Sequence, residues 1–126
     1  MALHAVLIYA DDSAHRPNHT AEDTESCDRH AEELTPTGAM VAAWAFTPRS
    51  RAASVRGDRV SAAPYHGDRQ LVVGIYLIEA EDLDAAVAIA RRNPACREGG
   101  GVEVRPVAEG GVIDPAAVRA ERRLGA

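Results

Sequence analysis

The chain has 126 residues and a mass of 13.4 kDa, which is room for one domain of ordinary size and not for two. Its 46% hydrophobic and 26% charged residues are those of a globular protein and exclude a disordered chain. The net charge of -5 argues against nucleic acid as a partner, because neutralising phosphates needs an excess of basic side chains on one face. All 14 basic residues are arginine, so chemistry that needs a lysine, such as a Schiff base, is excluded. No apolar run approaches the ~18 residues of a membrane span, and the N-terminus lacks a basic stretch followed by an apolar one. No membrane partner is expected, and the expected compartment is the cytoplasm. Cys27 and Cys96 lie far apart in the chain and are expected to be reduced thiols.

His4 to Ala10 is a short apolar run ended by Asp11-Asp12-Ser13, the pattern of a buried strand running into a loop. Residues 11–20 are polar and without apolar periodicity, so they form a surface loop. Thr20 and Asp23 resemble a capping box and open an acidic helix to about Leu34, which Thr35-Pro36-Thr37-Gly38 stops. Met40 to Thr47 is a second strand. Its alternation sets Met40, Ala42, Trp44 and Phe46 on one face and Val41, Ala43, Ala45 and Thr47 on the other. Gly57-Asp58 is able to turn a tight hairpin between residues 52–56 and 59–62. After a polar loop over 64–70, Leu71 to Ala80 is the most hydrophobic strand and is expected at the sheet's centre.

Asp82 then caps a helix with Leu83, Ala86, Val87 and Ala90 at helical spacing, which Asn93-Pro94 ends. Val102 to Pro106 is the last sheet strand. Asp114-Pro115 begins a short tail helix. The expected organisation is one α+β domain over residues 1–107, with residues 108–126 as a tail of the same unit. Two helices would cover one face of a mostly antiparallel sheet. Strands this apolar cannot leave the other face in water, so its expected cover is a second copy of the chain, making a homodimer.

Three stretches, HAVLIYADD, GIYLIEAEDLDAAVAIARRNPA and VEVRPV, are similar to the YCII-related family, in particular its DGPF-type branch of small bacterial proteins. The resemblance implies a ferredoxin-like sandwich that dimerises through the sheet into an α/β barrel with a pocket at the interface. It does not imply one activity. Some relatives in the wider family are lyase-like enzymes using a His and Asp pair, and some DGPF-type members look like companions of alternative sigma factors. Where that branch has Asp-Gly-Pro-Phe, this chain has Ala62-Ala63-Pro64-Tyr65, so a carboxylate is lost and the proline and an aromatic ring remain. Arg69 and Gln70 stand where the family commonly has Lys and Glu. The family's helical His aligns near Cys27, with His30 one turn later.

Tyr65, His66, Asp68 and Arg69 form the densest set of functional groups. A phenol, an imidazole, a carboxylate and a guanidinium at the mouth of an apolar pocket can bind a carboxylate or enolate and move a proton, whereas the same composition also makes a solvated connection. The expected catalytic residues are His66, Tyr65 and His30. Arg69, Asp68, Trp44, Phe46 and His4 are expected to bind substrate, with Arg69 as anion clamp and the aromatic rings as pocket wall or core. His15 and His19 are ligand types suited to zinc, but H-x3-H spacing in a loop does not turn both rings to one point, so no metal is expected, nor a cofactor. The glycines at 99–101 and 110–111 do not open helices of a βαβ unit, and no phosphate loop is read from them. Arg49, Arg51, Arg56 and Arg59 read as a basic hairpin, a solvated face or the contact of an acidic partner.

The expected function is proton-transfer chemistry of isomerase, cyclase or lyase type, or binding, on a small cyclic or aromatic metabolite. The alternative is a non-catalytic accessory protein associated with a transcription regulator, which would use the arginine hairpin or the acidic helix.

Overall fold

The computed structural model describes residues 1–13, 39–111 and 113. The acidic helix expected over 20–34, His15, His19, Cys27, His30 and the tail helix lie outside the described residues. Within them, strands β1 (Ala2–Ala10), β2 (Met40–Ala45), β5 (Leu71–Ala80) and β6 (Gly101–Pro106) make a four-stranded sheet in the order β2-β5-β1-β6. Every neighbouring pair in that sheet is antiparallel. The strands β3 (Ser54–Arg56) and β4 (Arg59–Ser61) form a separate hairpin, and helix α1 (Leu83–Ala90) follows β5. The fold is mixed α+β, and the strand order is compatible with a ferredoxin-like arrangement.

Helix α1 starts where the sequence says it should. Asp82 is extended, and its Oδ1 accepts from the Ala85 amide at 2.8 Å. Its side facing the sheet carries Ala86 and Ala90, both buried, with Ile89 packed beside them. These small residues let the helix lie close over Val6, Tyr76 and Ile78. The register puts His4, Val6 and Ile8 of β1 opposite Ile78, Tyr76 and Gly74 of β5, and opposite Pro106, Val104 and Val102 of β6, all on the helix-covered face. The other face carries Leu3, Leu7, Ile75 and Leu77, which are half-buried, with no described element over them.

Two bulges correct the simple alternation. Met40 lies opposite Ile78 and packs on the core, whereas Ala42 lies opposite Leu77 and Trp44 opposite Ile75 on the open face. The register shift between Met40 and Ala42 moves Met40 to the side away from Trp44, so those residues do not share one face as strict period two requires. The second shift, between Ile8 and Tyr9, leaves Val73 as the extra residue of β5. Val73 instead accepts from the Phe46 amide at 2.9 Å, which extends the β2 edge past its last ladder pair.

Two glycines are required by geometry. Gly57 has φ of 65° and Asp58 has no positive φ, the arrangement of a II′ hairpin turn with glycine first. At Gly100 a Cβ would collide with the Tyr9 carbonyl, so only glycine lets the chain enter β6 this close to β1.

Among the described residues Tyr76 is the largest fully buried side chain. Burial pushes its phenol up from 10.0 to about 12, and a hydrogen bond with the Asn93 side chain offsets this in part. Because the folded value lies above the ordinary one, the stability tied to the protonated phenol is complete below pH 10 and is lost as pH rises towards 12. Wild-type protein should therefore lose about 2–3 kcal/mol more than Tyr76→Phe across that window, measured by urea unfolding at pH 9 and pH 12. Equal losses in both proteins would show that folding does not raise the phenol above its ordinary value.

Candidate functional site

The functional side chains described here collect at one end of the sheet, where β1 and β2 finish and β5 and β6 begin. Asp11-Asp12-Ser13 leaves β1 there. Its conformation is set by Asp12, whose Oδ1 accepts from the amides of Ser13 at 2.8 Å and Arg49 at 2.9 Å. The buried Ser13 hydroxyl donates to the Phe46 carbonyl at 2.6 Å, tying this loop to the exit of β2.

Arg49 opens the short 3-10 turn Arg49–Arg51 and gathers the neighbouring loops around its guanidinium. Nη1 donates to the Asp68 carbonyl at 3.2 Å, and Nη2 donates to the carbonyls of Arg69, at 2.7 Å, and Asp11. Nε lies 4.0 Å from the Asp12 carboxylate. A planar fork with five donors suits this task, because it satisfies carbonyls from several directions without moving. Arg69 adds an exposed ion pair to Asp11 at 3.5 Å. Gln70 donates from Nε2 to the Gly99 carbonyl, which links the same segment to the approach to β6.

Tyr65 and His66 stack edge to face, with ring centroids 5.0 Å apart and planes at 87°. The Arg56 guanidinium lies 4.0 Å from the Tyr65 ring centroid and donates to the Tyr65 carbonyl at 3.0 Å. The hairpin thus holds the phenol from one side. Both rings are exposed, so the hydroxyl and imidazole are open to a ligand.

Of the expected site residues, Tyr65, His66, Asp68 and Arg69 share one loop, with Tyr65 held by Arg56 and the Asp68 and Arg69 carbonyls held by Arg49. Trp44 is 55% exposed on the open face, and Phe46 is exposed just beyond the end of the same strand. His4 is separated from them. It is buried on the helix-covered face, with Nδ1 3.0 Å from the Ala2 carbonyl oxygen. His30 is outside the described residues. Among the described residues no group of three or more His, Cys, Asp or Glu side chains could hold a metal ion, and no helix is long and apolar enough to cross a membrane. Sequence reasoning missed Arg49, Asp12 and Ser13 as a unit. The signal available was an Asp-Asp-Ser strand exit and a Pro-Arg start to a turn, and neither reveals that the two meet.

The described residues thus combine an α+β scaffold and an apolar sheet face with a polar loop cluster at the sheet's end. The model of the YCII-related domain matches residues 2–110, and the chain belongs to that family. No curated protein matches it.

Proposed function

We propose that the protein binds a small cyclic or aromatic metabolite between two copies of the chain and acts on it by proton transfer. The observation that supports this most directly is the open sheet face of Leu3, Leu7, Trp44, Ile75 and Leu77, which leads towards the end where Tyr65 and His66 are exposed. Pairing two such faces removes apolar surface from water and leaves the loop cluster at the rim, where polar groups can orient a ligand. In this reading His66 is the acid or base, Tyr65 donates a hydrogen bond to a developing oxyanion, and the exposed Arg69 holds an anionic group. Asp68 lies on the same loop and its carbonyl is held by Arg49. The reaction is an isomerisation, cyclisation or elimination, and the protein is a diverged member of the DGPF-type branch in which Pro64-Tyr65 survives.

Trp44 is the only tryptophan, so its fluorescence reports on this face. Benzoate, an aromatic carboxylate, should shift that emission saturably. His66→Ala combined with Tyr65→Phe should weaken benzoate binding at least tenfold while the oligomeric state is unchanged, and His66→Ala alone should abolish any acceleration of deuterium exchange at the α-carbon of cyclohexanone. A wild-type protein with no saturable response to benzoate, or a double variant that binds it equally well, would remove the reading.

A further inference from the structure

The hairpin β3–β4 is an exposed element with poor internal support. It is its own two-stranded sheet, and an isolated hairpin is marginal in water. Its cross-strand pair Val55–Val60 is exposed at 62% and 71%, and Arg56 lies directly opposite Arg59. Like charges in that position repel. Arg56 is engaged by Tyr65, but Arg51 and Arg59 make no ion pair among the described residues. At the opposite end of the sheet the charge is reversed. Glu79, Glu81, Asp82 and Asp84 are all exposed where β5 runs into α1, with exposed Leu83 among them. Glu79 lies opposite Leu3, on the open face. Among the described residues, Asp82 alone of these acids has a partner, as the cap of α1.

These two patches are complementary in charge, and each has apolar residues at its centre. Within one chain β5 lies between them: the loop that follows the hairpin runs into Leu71 at one end of the strand, and the acidic corner follows Ala80 at the other. From this complementarity we infer that the arginine hairpin of one subunit docks on the acidic β5–α1 corner of a second copy, so that the two-fold axis of the dimer runs across the strands and not along them. The inference rests on the sheet-to-sheet pairing proposed above and specifies its direction. A two-fold axis in the plane between two facing sheets has two simple orientations when strands stay aligned. Running along the strands, it would bring hairpin to hairpin and acid to acid, leaving both sets of charges repelling. Running across them, it sets each hairpin beside Glu79 and Glu81 of the partner subunit and does so twice. The acids then also stand near Tyr65 and His66, because Arg56 ties the hairpin to Tyr65.

The test is a charge swap followed by sedimentation equilibrium on the full chain. Arg51→Glu with Arg59→Glu should raise the dimer Kd at least tenfold in 50 mM NaCl, and Glu79→Arg with Glu81→Arg should do the same. All four substitutions in one chain should bring Kd back to within about threefold of wild type, because opposite charges again face each other. Wild-type Kd should rise between 50 and 500 mM NaCl. A wild-type dimer whose Kd is unmoved by either reversal, or a four-fold variant that fails to recover while its thermal unfolding is normal, overturns the docking and leaves the sheet pairing standing. A wild-type protein that is monomeric at 100 µM overturns both.

Discussion

Ile75→Arg should turn a dimeric protein into a monomer without unfolding it. Ile75 lies on the open face of β5, one of the two inner strands, opposite Leu7 of β1 on one side and Trp44 of the edge strand β2 on the other. In a single chain it is half-buried, so an arginine there can extend its head into water along the apolar surface. In a pair of facing sheets the same guanidinium is driven into an apolar contact, because Leu3, Leu7, Trp44 and Leu77 around it on the open face carry no carboxylate. An unpaired charge there costs several kcal/mol, and the lost Ile burial adds about 2 kcal/mol. The expected result is a dissociation constant raised at least a thousandfold, read by sedimentation equilibrium, with a urea midpoint close to wild type for the monomer. Ile78→Ala supplies the contrast. It lies on the helix-covered face, fully buried, and should cost about 2–5 kcal/mol of stability by leaving a cavity. If Ile75→Arg leaves the oligomeric state unchanged, the open face is not where the copies meet.

The strands and α1 were legible because their apolar periods are local. Leu71–Ala80 carries a single charged residue, Glu79, near its end, and is indeed flanked on both sides in the sheet. Asp82, four residues ahead of Ala86, announced the helix with a side chain whose only role there is to cap it. Gly57-Asp58 announced the hairpin through its glycine. What escaped is non-local. A bulge at Val41 has no compositional mark, since the residue is an ordinary β-branched one, yet it decides that Met40 packs on the core while Trp44 lies on the open face. His4 sits in an alternating strand, and alternation alone cannot say which of two apolar faces receives the helix. The cluster around Arg49 is illegible for a different reason. Its partners are main-chain carbonyls at Asp11, Asp68 and Arg69, and every residue has a carbonyl, so no side-chain pattern records the meeting.

Because one guanidinium makes all three bonds, removing Arg49 should have an effect beyond its own side chain. Arg49→Met keeps the length of the stem and the main-chain bond from the Arg49 amide to Asp12 Oδ1, but releases the Asp68 and Arg69 carbonyls together with that of Asp11. Water can replace the bonds at these exposed positions, so the stability lost should be modest, about 1–2 kcal/mol. The loop carrying Tyr65 and His66 would lose its anchor to the strand ends, and benzoate binding should weaken about tenfold or more. Arg49→Lys should restore little, because a single ammonium cannot serve carbonyls arranged around a planar fork. Asp12→Ala removes the acceptor of two amides and should cost about 2–3 kcal/mol. The two changes share the same loops, so the double variant should fall short of their sum by at least about 0.5 kcal/mol. Urea unfolding of the four proteins measures that coupling, and amide hydrogen exchange at residues 11–13 and 68–70 should quicken in both single variants. Strict additivity, with exchange at 68–70 unchanged in Arg49→Met, would show that the guanidinium merely lies against these carbonyls and does not hold the loops in place.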